Sequence, residues 1–133
     1  MLTLLVILFV GITSCEKSND QPKSKTDYIP INAAATPSTI ALGQSIRSRV
    51  NCGFHDKVAD ITFLNFEVKE SAPKQFEIRA RAFYDNIRYG NTSTLTVDTF
   101  DTTLTLPTVT TGQYILKFYT NSLLVETDTV QVN

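Results

Sequence analysis

Two cysteines, one histidine, several carboxylates and a cluster of aromatic and amide side chains are the groups in this sequence that could do chemistry. Cys52 is followed by Gly53-Phe54-His55-Asp56. A thiolate beside an imidazole would make a nucleophile pair, provided the two side chains meet in a cleft. Near neighbours along a strand point away from each other, so this spacing argues against such a pair. His55 with Asp56 or Asp60 would be the parts of a small acid–base enzyme. Asp98 and Asp101 bracket Phe100, and two carboxylates three apart could ligate calcium. The fuller run of Asp, Asn and Gly that a calcium loop needs is absent, which leaves solvated carboxylates as the reading. Phe83, Tyr84, Tyr89 and Asn91 lie in and around the segment DNIRYGN, where rings and amides could stack on and hydrogen-bond a sugar. The chain has no Trp, the strongest stacking residue. Arg47, Arg49, Arg79 and Arg81 recur in alternate positions. On adjacent strands they would form a basic stripe suited to an anionic glycan or headgroup, with Glu67 and Glu77 available to interleave as cross-strand ion pairs.

Composition bounds these options. The chain has 133 residues, a formal net charge of −1, 42% hydrophobic and 19% charged residues. That length suits one domain, and the apolar content is too high for a disordered chain. Near-neutral charge removes the electrostatic case for nucleic acid. One His and two Cys leave few ligands for zinc. No phosphate-cradling Gly loop, nucleophile elbow or metalloprotease helix occurs, so neither a cofactor nor a catalytic metal is expected.

The elements that would position these residues begin with MLTLLVILFVGITSC. Leu2 to Ile12 is an apolar stretch about 16 Å long as a helix, half of a bilayer core and the length of a signal-peptide core. Ile12-Thr13-Ser14-Cys15 then resembles the lipobox of bacterial lipoproteins, an aliphatic residue and two small ones before Cys. The resemblance implies that residues 1–14 are a cleaved signal peptide and that Cys15 carries lipid, which anchors the chain to the membrane. Residues 16–27, EKSNDQPKSKTD, have no apolar side chain but Pro22 and cannot bury enough surface to order themselves. They are similar to the flexible tether of such lipoproteins. Glu16 stands where an inner-membrane retention signal would place Asp, which favours the outer membrane, and the charged start resembles surface lipoproteins of the Bacteroidetes type. A lipidated Cys15 leaves Cys52 a buried, unpaired thiol; an ordinary secreted protein would instead allow a Cys15–Cys52 disulfide.

From Tyr28 to Asn133 the pattern has period two. Ile46, Ser48, Val50 and Cys52 share one face of a strand, and Phe76, Ile78, Ala80, Ala82 and Tyr84 share one face of another. ITFLNFEVK slips phase between Phe63 and Leu64, which predicts a bulge. Ser71 to Lys74 breaks the ladder. Thr94 to Leu106 reads as two short strands or one bent strand, and Gln113–Thr120 with Leu123–Val132 as a hairpin across Asn121-Ser122. LPTVTTGQYIL resembles the tyrosine corner of immunoglobulin-like and fibronectin-type domains, with Gly112 and Tyr114 as its marks. The resemblance implies that the Tyr114 hydroxyl bonds back to the chain between strands. The expected fold is all-β: a single antiparallel immunoglobulin-like sandwich of about seven strands.

The expected function is a non-catalytic, lipid-anchored envelope module that binds or supports another envelope component. A surface glycan-binding accessory is the alternative, and a small enzyme using His55 a third reading.

Overall fold

The alternation of apolar and polar residues is realised as strands throughout the computed structural model, which describes residues 23–54, 59–87 and 98–133. Nine strands occur among these residues. They are β1 (Lys25–Ile29), β2 (Ile31–Ala35), β3 (Thr39–Ile40), β4 (Ile46–Phe54), β5 (Asp60–Ala72), β6 (Gln75–Asp85), β7 (Asp98–Leu106), β8 (Gly112–Thr120) and β9 (Leu123–Val132). No helix among the described residues is long and apolar enough to cross a membrane. The expected signal helix of residues 1–14 and the first part of the tether lie outside the described residues.

The smaller sheet has the order β2-β4-β7, and the larger one carries the remaining strands around β6. β5 pairs with β6 along its whole length. The opposite edge of β6 is shared: β1 covers Ala80 to Tyr84 and β8 covers Gln75 to Ile78. β9 follows β8, and β3 closes that edge. Inward side chains of both sheets meet in one core. Ile46, Val50, Cys52 and Leu104 come from the smaller sheet; Ile78, Leu116, Phe118 and Val130 come from the larger. Full burial of a Leu, Ile or Phe contributes about 1.5–3 kcal/mol, so this shared interior holds the two sheets together.

Three details differ from the sequence expectation. The first is strand number and direction: there are nine strands among the described residues where about seven were expected, and β6·β8 and β3·β9 are parallel pairs. Alternation reveals which face is apolar but not which strand lies alongside. β6 and β8 are joined through β7 in the other sheet, the kind of long crossover that parallel neighbours require. The second is where order begins. β1 starts at Lys25, inside the segment read as tether, because the free edge of β6 pairs with backbone irrespective of side chain. Ile29, 1% exposed, fixes the end of that strand in the core. Pro30 then separates β1 from β2 and the chain changes sheets. The third is at Ser71 to Lys74, where β5 runs on to Ala72 and the turn narrows to Pro73-Lys74, with Lys74 at φ 60°.

Other features coincide with the pattern. The register of β5 on β6 shifts between Phe63 and Asn65. β8 and β9 form a hairpin across Asn121-Ser122, with Asn121 at φ 54°. β7 is a single strand from Asp98; Thr94 to Val97 fall outside the described residues.

Candidate functional site

The Tyr84 end of the sandwich gathers the ends of β1, β4 and β6 around a pocket of about 270 Å³. Lys25, Phe54, Ala59, Tyr84, Ile87 and Asn121 contribute to its wall. Tyr84 is on the inward face of β6 and only 4% exposed. Its hydroxyl donates to the Tyr28 carbonyl at 2.6 Å, tying β6 to β1. Burial pushes the phenol up to about 12, so it stays protonated and keeps that bond at neutral pH. Phe54 meets the Tyr84 ring edge-on at 6.1 Å between centroids. At the rim Lys25 pairs with Asp27 at 2.7 Å, and this hydrogen bond holds the Asp27 carboxyl below its usual value. The Lys25 ammonium also lies 5.8 Å from the Tyr84 ring centroid.

Of the described residues singled out for chemistry, Tyr84 lines this pocket and Cys52, Phe83, Asp98 and Asp101 do not. Phe83 and Tyr84 are successive on β6 and therefore face opposite sides. Phe83 is 37% exposed on the outer face, while Tyr84 points into the sandwich. The two rings cannot form one stacking surface. Tyr89 and Asn91 lie outside the described residues, as do Cys15, His55 and Asp56. Asp60 opens β5 and accepts a hydrogen bond from Asn86 Nδ2 at 2.9 Å.

The four arginines do not make a stripe. Arg47 and Arg49 belong to β4 in one sheet, Arg79 and Arg81 to β6 in the other. Arg49 pairs with Asp101 on β7, and Arg79 pairs with Glu77 at 3.4 Å. Arg79 also donates to the Asn121 carbonyl at 2.8 Å and lies over the Tyr119 ring at 4.7 Å. Glu67 stands opposite Arg79 in register and accepts from the Tyr28 hydroxyl. Asp98 and Asp101 are both in β7, not in a loop. Asn51 donates to Asp101 at 2.9 Å, and this bond, with Arg49, holds the carboxyl below its ordinary pKa of 3.8. Among the described residues no group of three or more His, Cys, Asp or Glu could hold a metal ion.

Cys52 is fully buried on the inner face of β4. Burial pushes its thiol up to about 12, so it is protonated at neutral pH and a poor nucleophile. Its neighbour Gly53 has φ 131°, and a Cβ there would sit 2.1 Å from the Asp98 carbonyl oxygen. Only glycine lets β4 and β7 approach this closely beside the pocket.

At the other end, Tyr114 opens the inner face of β8. Its hydroxyl donates to the Thr110 carbonyl at 3.1 Å and receives longer contacts of 3.4 Å from the Val109 and Thr110 amides. Gly112 has φ 117°, and Lys74 Nζ fills the space that a side chain there would need. These bonds fold the β7–β8 connection back onto its own strand.

Sequence reasoning missed Lys25, Asp27, Phe54 and Asn121 as neighbours. Two were assigned to the tether, and the others carry no local signal of proximity. It also passed over Leu123-Leu124-Val125, an apolar run beside a turn that stays exposed by 70%, 47% and 36%. No family model matches this chain, and no curated protein or solved structure matches it either.

Proposed function

We propose that this chain is a non-catalytic module of a bacterial cell envelope, held through lipid on Cys15 and presenting a β-sandwich that binds or braces another envelope component. The Ile12-Thr13-Ser14-Cys15 sequence, directly after an apolar stretch and before a polar segment, carries this reading. Outer-membrane placement follows from Glu16 after the Cys. Each buried methylene contributes about 0.8 kcal/mol, so two or three acyl chains hold a domain firmly where one would not. The Tyr114 corner supports an immunoglobulin-like or fibronectin-type affinity for the sandwich, while the parallel β6·β8 pair sets its topology apart from an all-antiparallel version. Burial of the Cys52 thiol removes it as a nucleophile.

Cys15→Ser tests the anchor. The wild-type protein is expected to fractionate with membranes and to lack residues 1–14 by intact mass, with added diacylglycerol. The variant is expected to lose both properties while keeping its melting midpoint. Unchanged membrane fractionation of the variant, or a full-length wild-type chain with a bare Cys15 thiol, would overturn the proposal.

A further inference from the structure

The exposed run Leu123-Leu124-Val125 sits at a particular place. It follows the β8–β9 turn, and Asn121 of that turn lines the same pocket as Lys25, near the start of β1. Ile87 N donates to the Lys23 carbonyl at 3.0 Å, so Lys23 lies at this end as well. The opposite end carries the Pro73-Lys74 and Thr110–Gly112 turns, joined by Lys74 Nζ donating to the Thr111 carbonyl. The apolar hairpin therefore faces the same end of the sandwich as the first described residue, set back along β6 to the level of Ile29.

Lys23 is eight residues after Cys15, a chain that reaches at most about 28 Å when fully extended. A lipid on Cys15 thus keeps this end within a short distance of the bilayer. The hairpin chemistry fits that neighbour. Three consecutive apolar side chains are exposed, whereas Val109 at the far end is an isolated one. Tyr119 stands opposite Leu124 in register, and the Arg79 guanidinium lies over its ring. Aliphatic side chains edged by an aromatic ring and a cation make up the usual contact with the headgroup–acyl boundary.

From this placement we infer that the β8–β9 hairpin is a membrane-contact wedge: Leu123, Leu124 and Val125 dip into the bilayer that holds Cys15 and orient the sandwich with its Tyr114 end outward. The inference rests on the lipid-anchor reading.

The chain has no Trp, so a single introduced one reports its own depth. Leu123→Trp and Val109→Trp are each made in the full-length lipoprotein. The processed proteins are reconstituted into phosphatidylethanolamine–phosphatidylglycerol vesicles doped with a chain-brominated phosphatidylcholine. Leu123→Trp emission is expected to fall about twofold relative to unbrominated vesicles, as for a side chain at the acyl boundary, while Val109→Trp emission stays unchanged. Protein that floats with the vesicles but shows no bromine quenching at either position would overturn the wedge and leave the anchor standing. Equal quenching at both positions would overturn the orientation. Shielding of Leu123→Trp from acrylamide without bromine quenching would mean that a protein, or a second copy, covers the hairpin, and would also overturn the wedge. Failure of the processed protein to float at all would instead overturn the anchor.

Discussion

At one end of the sandwich Lys74 reaches the Thr111 carbonyl, and the Tyr114 hydroxyl pins the connection between β7 and β8 to its own strand. At the other end the Tyr84 hydroxyl bonds to β1, a neighbouring strand, and space remains between Phe54, Tyr84 and Ile87. Both ends use a tyrosine hydroxyl on a backbone carbonyl. The difference is what each bond closes. A bond within one connection folds that turn onto its own strand, while a bond between strands fixes β6 to β1. The Tyr84 end also carries Lys23, which accepts from Ile87 N, and the exposed apolar hairpin faces this end.

The contrast can be broken first at Gly53. If the Tyr84 end were loose, a methyl group there would be absorbed. The approach of Gly53 to the Asp98 carbonyl and its positive φ argue otherwise. Gly53→Ala is expected to destabilise the domain by about 3 kcal/mol in urea unfolding. A loss below about 1 kcal/mol would show that the two strands can separate there without cost.

The paired tyrosines give a finer comparison. Tyr84→Phe removes a short bond from a buried ring and is expected to cost about 1.5 kcal/mol. Tyr114→Phe removes longer contacts beside exposed Val109 and Thr110, which water can replace, and is expected to cost about 1 kcal/mol. Thermal or urea unfolding of both variants checks the order. A reversal would mean that the Tyr114 end carries more of the stability than its bond lengths suggest.

The smallest effect is expected at Asp101, on the outer face of the smaller sheet. Its folded pKa lies below the ordinary 3.8. The stabilisation is therefore present above about pH 4 and is lost as pH falls through the folded value. Asp101→Asn is expected to remove that part of the acid dependence and to change stability at neutral pH only slightly, as for other exposed pairs. Acid titration of the melting midpoint from pH 5 to pH 2, with wild type and variant compared, checks the sign.

How much could be read from the sequence depends on the range of the contact. The hairpin of β8 and β9 was legible because its two strands are adjacent in sequence and a short Asn-Ser turn joins them. The bulge in β5 was legible because a slip in alternation is a local event. The inward set of β4 followed from the same period, down to Ser48 among apolar neighbours. Ser48 is satisfied by Thr36, which also bonds to Asp128, and no local pattern reveals that. Sheet membership was equally hidden. Arg47 and Arg79 have the same outward phase, yet they lie on different sheets, since phase says nothing about distance. β1 and β2 were hidden for another reason. KTDYI and INAAA show no alternation of large apolar side chains, and the backbone edges they join supply most of their reason to be strands. The candidate site inherits this limit: Tyr84 was visible, but its partners arrive from two distant stretches of chain, Lys25 and Tyr28 from β1 and Phe54 from β4.

The change of sheet at Pro30 has a mechanical consequence. The five residues before it are registered against β6 and the five after it belong to the β4 side. A pull on the chain ahead of Lys25 loads β1 first, and through Pro30 it passes the tension into both layers. The domain thus meets traction on that segment with two clasps in series, so that drawing the chain out past Pro30 requires both to slip.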